Sequence, residues 1–298
     1  MINSGLIDSV CPVCGESKSE PYANENGFGL VRCNQCALLY VTPRPAPEAT
    51  AAAHQYGLHH GDTAIAVTGR YRPARIRNYL GVLRDIYGPS LPAALTSWVD
   101  IGCGHGEFLA ALRVFGGARL SLVGLEPNVL KAGGCGSRGL DVRTCTLGDL
   151  PGTFTAISLL NVFSHLQDPK AFLRDCAARL EPGGELLLET GDTAHFPTEH
   201  HPRPLYLPDH LLFGNEAIIR RVFRELNLNV VSVQTYSAVS AIPWQVLKEC
   251  QLALRARRMP RLFAAFRRWA RERGRKIDMY VRARRIPLDD LPPHDAGG

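Results

Sequence analysis

The chain has 298 residues, 45% of them hydrophobic, with a formal net charge of +6. That length suits one full α/β domain with a small appendage, and the apolar content supports a core without disulfide staples. No apolar run approaches the roughly 18 residues of a membrane span. Met1 to Val10 lacks the basic-then-apolar order of a signal peptide, so a soluble cytoplasmic protein is expected.

Four of the nine cysteines fall as two close pairs near the start: Cys11 and Cys14, then Cys33 and Cys36. The other five are scattered, which fits a metal site plus ordinary buried thiols in a reducing compartment. The pattern C-x2-C, eighteen residues, C-x2-C suits a closed tetrahedral Zn²⁺ site of four thiolates. Two intervening residues let a tight turn aim both sulfurs at one ion, and Gly15 tolerates the turn's left-handed backbone. A segment this poor in apolar residues depends on its metal to fold, so the zinc is read as structural. The alternative is two unrelated pairs. A redox C-x-x-C is more often single and placed after a strand at a helix start.

Residues 1–42 thus form a small zinc-binding β-rich domain with short runs such as Leu38-Leu39-Tyr40-Val41. Pro43, Pro45 and Pro47 mark a stiff linker. A helical pattern runs from about Glu48 to Ile86, and residues 43–96 are read as linker and helical cap. From Ser97 strands alternate with helices, the mark of a parallel sheet with crossovers. Strand Trp98 to Ile101 leads to helix Glu107 to Phe115, then strand Ser121 to Leu125. Strand Ala156 to Leu160, helix Pro169 to Leu180 and strand Glu185 to Glu189 follow. Residues 191–214, rich in His and Pro, read as a loop over the sheet edge. A helix from Asn215 to Leu226 and a strand Val230 to Gln234 close the body at 97–243. Residues 244–286 are a basic helix and a last strand, and 287–298 a disordered tail.

The segment Val99-Asp100-Ile101-Gly102-Cys103-Gly104-His105-Gly106-Glu107 carries the functional signal. A buried strand runs into G-x-G-x-G, where the main chain can pass under a ligand without a Cβ clash. The dinucleotide fingerprint is G-x-G-x-x-G, with pyrophosphate on the helix N-terminus. Here the third glycine comes one residue early and Glu107 follows, which disfavours pyrophosphate. Asp100 would also repel a phosphate, and it could hold water or a ligand ammonium. Glu126, ending Val123-Gly124-Leu125-Glu126-Pro127, stands where a ribose diol can donate two hydrogen bonds.

These residues resemble the class I S-adenosylmethionine-dependent methyltransferases, whose first motif reads like Val99–Gly106 and whose second strand ends in an acid like Glu126. Leu159-Leu160-Asn161-Val162-Phe163-Ser164-His165-Leu166-Gln167-Asp168-Pro169 is similar to the family's fourth-strand segment, and Leu180-Glu181-Pro182-Gly183-Gly184-Glu185-Leu186 to its post-strand turn. The matches span about Ser97 to Glu189. Two positions depart: Thr155 stands where the family usually has Asp, and Ser164 where it has Glu before the His. The resemblance implies a Rossmann-like, mostly parallel seven-stranded sheet flanked by helices. It also implies S-adenosyl-L-methionine as cofactor, bound by Asp100, Gly102, Cys103, Gly104, Gly106, Glu126, Pro127 and Asn161. A Rossmann-like domain with no cofactor is the bland alternative.

The order Cys-Pro-x-Cys-Gly, Arg-Cys-x-x-Cys, then Leu39-Tyr40-Val41-Thr42-Pro43-Arg44-Pro45 resembles bacterial methyltransferases of sugar and secondary-metabolite pathways. A small-molecule acceptor methylated on oxygen or carbon is therefore expected. Leu205-Tyr206-Leu207-Pro208-Asp209-His210-Leu211 resembles the stretch those enzymes place over the acceptor. Methyl transfer asks the enzyme mainly to position and desolvate, and a base near neutral pKa helps a hydroxyl or acidic carbon react. His210 is the first candidate base, His165 the second, and Tyr206 a positioning or relay group. Packing or surface roles are the alternative for each. His195, His200 and His201 are read as a solvated loop, since no carboxylates accompany them at ligand spacing.

From Lys248 to Arg285 stand 14 Lys and Arg against three acids, a local +11. Leu262, Phe266 and Trp269 make an apolar stripe at helical spacing. Contact with nucleic acid, a membrane surface or the domain itself all fit such a stripe. Met279 to Arg284 resembles the family's last strand, which ties the tail to the fold. An RNA methyltransferase gripping RNA with the knuckle and tail is the second reading. Asn161-Val162-Phe163-Ser164 lacks the Pro-Pro-Tyr of base-amino methylation, and stacking aromatics are few. A non-catalytic zinc and ligand-binding module is the third. Sequence leaves the oligomeric state open.

Overall fold

The computed structural model describes residues 5–237 and 276–286. The basic stripe around Leu262, Phe266 and Trp269 and the tail at 287–298 lie outside the described residues.

Four antiparallel strands form the cysteine-bearing unit: β2 Ser19–Glu25, β3 Phe28–Cys33, β4 Leu39–Val41 and, far along the chain, β13 Leu212–Phe213. A short pair, β1 Leu6–Ile7 with β5 Arg44–Pro45, flanks them. Next come α1 Pro47–Tyr56, the pair β6 Leu58–His59 and β7 Ile65–Ala66, and α2 Pro73–Tyr87. The helical pattern read from Glu48 to Ile86 is thus two helices and not one. Gly57, left-handed at φ 66°, caps α1, and α2 restarts with Pro73 in its first turn.

The body alternates β8 Ser97–Ile101, α3 Glu107–Gly116, β9 Ser121–Leu125, α4 Val129–Gly136, β10 Val142–Arg143, β11 Phe154–Leu160, α5 Pro169–Arg179 and β12 Leu180–Gly191. After β13 follow α6 Glu216–Glu225, β14 Leu228–Ser237 and β15 Lys276–Arg285. The seven-stranded sheet has the order β10-β9-β8-β11-β12-β15-β14, and only β15 runs against its neighbours. The Rossmann-like, mostly parallel sheet read from the sequence is what the chain forms. Strand order reverses between β8 and β11, so a crevice opens beyond their C-terminal ends, the usual ligand position of such sheets.

The stretch 191–214, read as a loop, is more than that. It crosses to the cysteine unit and adds β13 to β4, with Leu212 opposite Tyr40. Its apolar residues Leu205, Leu207 and Leu211 are buried in one core with Leu30, Tyr40, Val99 and Ile157. Two-residue pairing carries little periodicity, so this strand has no readable pattern in the sequence.

Thr155, the first departure from the family pattern, binds the starts of β8 and β11. Its Oγ1 accepts from the Thr96 and Ser97 N–H groups and donates to the Ser97 carbonyl. The sheet's far side is closed by charge. Glu185 on β12, 2% exposed, accepts two hydrogen bonds from Arg282 at 2.9 and 2.7 Å and one from Arg284 at 2.9 Å. Burial raises its carboxyl, but the two guanidiniums outweigh burial and hold it below its ordinary value. The unfolded chain therefore takes up this proton first as pH falls. The stabilisation is full above the ordinary value of about 4.3 and is lost as pH drops through the lower folded value. Glu185→Gln should flatten the acid limb of a stability–pH curve measured by urea unfolding. Glu185→Ala, which strands Arg282, should cost about 3 kcal/mol at neutral pH.

Candidate functional site

The loop between β8 and α3 takes its shape from glycines. Gly102, Gly104 and Gly106 all hold positive φ, at 68°, 58° and 82°. A Cβ on Gly102 would lie 2.5 Å from Val162 Cγ2, whereas a Cβ on Gly104 would meet nothing within 4 Å. Gly102 is therefore required by packing, and Gly104 leaves an open face beyond the sheet. Glu126 sets the loop's position: its buried carboxylate accepts from the Gly104 N–H at 2.7 Å and the Asn128 N–H at 2.9 Å.

The other residues read as cofactor contacts are disposed differently. Asp100 is 1% exposed and accepts from Ser158 Oγ at 2.6 Å, while that hydroxyl accepts from Trp98 Nε1. Burial pushes Asp100 up to about 7, against the Ser158 hydrogen bond and with a contribution from Glu126. Cys103 is buried beneath the loop, Pro127 and Asn161 are exposed, and Asn161 ends β11 at φ 61°. Glu107, the acid after the third glycine, is buried and accepts from the Arg72 N–H at 2.8 Å, which ties the start of α2 to the loop.

The segment 205–210 is held by the cysteine unit. Glu25 at the end of β2 accepts from the Leu205 N–H at 2.9 Å and the Tyr206 N–H at 2.6 Å. Tyr22 Oη and Arg32 reach the Phe196 carbonyl. Tyr206 itself is 46% exposed, with φ 63°. Its carbonyl accepts from the Asp209 and His210 N–H groups, which turns both side chains inward. His201, read with His195 and His200 as solvated, is a correction. It is 6% exposed, and its ring stands edge-on to Phe213 at 5.0 Å.

His210 and His165 meet, their ring centroids 5.0 Å apart. Beside them lies a residue that sequence reasoning passed over. Asp209 is buried, with Oδ1 3.2 Å from His165 Nδ1 and 3.0 Å from His59 Nε2. His165 Nδ1 also lies 2.7 Å from the Asp209 carbonyl, so Nδ1 carries the proton and Nε2 is left as the acceptor. His54 closes the group, 5.4 Å from the His59 ring and 5.6 Å from the His165 ring. Burial, with His165 and His59 nearby, lowers His54 to about 4, and burial with His165 lowers His210 to about 4. Burial opposes protonation of His165, yet the hydrogen bonds and charge of Asp209 raise it overall. The same partners hold Asp209 well below the carboxylate range despite its burial. Its adjacency to His210 was the one signal for Asp209. His54 and His59 lie some 150 positions away, where spacing says nothing.

At the far side of the cysteine unit, Cys11 Sγ and Cys36 Sγ are 3.5 Å apart and Cys14 Sγ and Cys33 Sγ 3.4 Å, all four converging within 4.8 Å.

A family model of the methyltransferase domain matches residues 68–233, more than half of the chain. The chain belongs to this methyltransferase family. The reading of a Rossmann-like, S-adenosylmethionine-dependent methyltransferase domain agrees with that match. Curated relatives of the domain include a ubiquinone biosynthesis O-methyltransferase of Xanthomonas campestris, 34% identical over 109 residues, 34% of this chain and 44% of the relative. The corresponding enzyme of Xanthomonas oryzae is 35% identical over 129 residues, 40% of this chain and 49% of the relative. The chain thus matches less than half the length of these methyltransferases. Among solved structures, the 4+2 cyclase SpnF covers 80% of this chain and 91% of its own at a TM-score of 0.50 and 14% identity, which speaks to the fold alone.

The methyltransferase loop predicts an asymmetry between two glycines. Gly104→Ala should cost about 1 kcal/mol, the left-handed penalty alone. Gly102→Ala should cost about 1–3 kcal/mol more, because stiff, β-branched Val162 cannot yield. Urea unfolding of the two variants measures the difference.

Proposed function

We propose that the protein transfers a methyl group from S-adenosylmethionine to a hydroxyl of a small molecule, with His165 as base. The observation that carries this reading is the open face of Gly104, flanked by the Glu126 carboxylate and lying at the same sheet edge as the histidine-bearing end of β11. The loop fits the cofactor. Bare main chain at Gly104 suits close approach of a nucleoside. The Glu126 carboxylate has further lone pairs for a ribose diol, and the buried acids suit a ligand with no phosphate. S-adenosylmethionine supplies an electrophilic methyl on a sulfonium centre.

The chain's own residues orient and deprotonate. The Asp209 carbonyl and carboxylate fix the His165 ring with Nδ1 as donor, so Nε2 can take a proton from an acceptor hydroxyl. This favours His165 over His210 as base. His210, a neutral ring beside it, and Tyr206 are then positioning groups at the acceptor. Burial of Ser164 and Phe163 under the 205–211 segment supports exclusion of water. The Xanthomonas relatives are O-methyltransferases by name, which favours oxygen over carbon. Among the described residues no helix is long and apolar enough to cross a membrane, and the described cysteines are free thiols. A paired cysteine site with scattered thiols suits a reducing compartment such as the cytoplasm.

The four thiols fit Zn²⁺: sulfurs of a tetrahedral site with bonds of about 2.3 Å lie a little under 4 Å apart. Such an ion would have no open position, so its work is structural. Through Glu25, Tyr22 and β13 the cysteine unit holds the segment that carries Asp209 and His210.

Labelling, kinetics with calorimetry, and metal removal test the proposal. Labelled S-adenosylmethionine should mark small molecules in a bacterial metabolite extract and not total RNA; label in RNA would overturn the acceptor class. His165→Gln should lower kcat about 10²- to 10⁴-fold while S-adenosylhomocysteine affinity, by calorimetry, stays unchanged. Gly104→Leu should abolish that affinity. Removing zinc with a chelator should lower the unfolding midpoint and make residues 192–214 exchange amide hydrogens faster, since their anchors go with the metal.

A further inference from the structure

Two pairs of histidines surround one buried carboxylate, and the role of a base uses only one of the four. We propose that His54, His59 and Asp209 form a second metal site, distinct from the four cysteines, for a single divalent first-row transition ion. The donor atoms of these three residues converge within 4.8 Å of one another. His59 Nε2 and Asp209 Oδ1, 3.0 Å apart, have the separation of two ligands on one ion with bonds near ~2.1 Å. That distance is right for an ion pair, yet the direction is wrong for a hydrogen bond, so the ring N–H does not close onto the carboxylate. His54 Nε2 is buried with no hydrogen-bond partner at all. A purely structural network would leave that nitrogen unsatisfied, at a cost of about 1–3 kcal/mol. An ion between the three side chains satisfies it.

Charge favours a cation as well. Among the described residues, Asp209 has only His59 and His165 within ion-pair range and no Lys or Arg. A buried carboxylate without a permanent countercharge is costly, and a divalent ion supplies one. Two imidazoles and one carboxylate are the donor set of open transition-metal sites. His165 then serves the ion too: its Nδ1–H donates to the Asp209 carbonyl and stands 3.2 Å from Oδ1, an outer-shell contact that helps orient a ligating carboxylate.

The site stands beside the cofactor loop. Asn128 Nδ2 donates to the His54 carbonyl at 3.4 Å, and the Asn128 N–H donates to Glu126, which docks the end of α1 on the turn after β9. Three protein ligands leave positions for water or for the acceptor hydroxyl, whose proton the ion would loosen. This last role rests on the methyl-transfer reading; the binding of metal does not.

The 298-residue protein, its cysteine site filled with one equivalent of Zn²⁺, should be titrated with Co²⁺ and followed by absorption. One further equivalent should bind, with ligand-field bands and no thiolate charge-transfer band. His54→Gln and His59→Gln, checked for folding by circular dichroism, should each weaken that binding more than about tenfold and keep the zinc. Wild-type protein that takes up no second equivalent overturns the inference. So does a second equivalent that both folded variants retain, or one whose spectrum is that of thiolate ligation. S-adenosylhomocysteine binding is measured on the same samples: its absence beside normal Co²⁺ uptake sinks the methyl-transfer reading and leaves the metal site standing. Normal cofactor binding without Co²⁺ uptake does the reverse.

Discussion

The crevice is organised by one carboxylate. Glu126 receives the Gly104 N–H on one oxygen and the Asn128 N–H on the other, so the loop after β8 and the turn after β9 share a single anchor. Buried N–H groups need partners, and a glycine loop has no side chains of its own to supply them. With both oxygens committed through one lone pair each, the carboxylate keeps capacity to accept from a diol. Asn128 carries the coupling further, capping α4 through Lys131 N–H and reaching α1 at His54.

A second buried acid organises the other half. Asp209 draws His59 and His165 together from elements far apart in the chain, and His54 and His210 pack around them. Its position depends on the cysteine unit. Glu25 grips the backbone of 205–206, and β13 completes the sheet of β2, β3 and β4. The small unit therefore acts on the site mechanically, by fixing a segment, and its sulfurs stand outside the chemistry. This gives a physical reason for joining a cysteine-bearing β unit to a Rossmann-like domain. A segment of twenty-odd residues rich in His and Pro cannot hold a geometry by itself, and its backbone groups must find partners somewhere.

The departures from the family pattern become intelligible in the same terms. Thr155 uses its hydroxyl to bind two N–H groups and a carbonyl at the sheet's lower edge, which a carboxylate could do only in part. Ser164 is buried under Leu211, whose N–H donates to the Ser164 carbonyl at 2.7 Å.

The sequence alone determined the parallel sheet, the glycine loop, the acid at the end of β9 and the four-cysteine pattern. Each is a short-range signal, a period of two, a glycine spacing or a C-x2-C turn, whose physics is complete within a dozen residues. It also pointed to His165 and His210, through motifs next to strand ends. Only the tertiary structure decided that the helical stretch breaks at Gly57, that 191–214 supplies a strand to the cysteine unit, and that His201 is buried. Only it brought His54 and His59 to Asp209. Those contacts join residues some 150 positions apart, where the chain's path and not its local pattern sets the distance, and a buried charge draws in whatever partners the fold delivers to it.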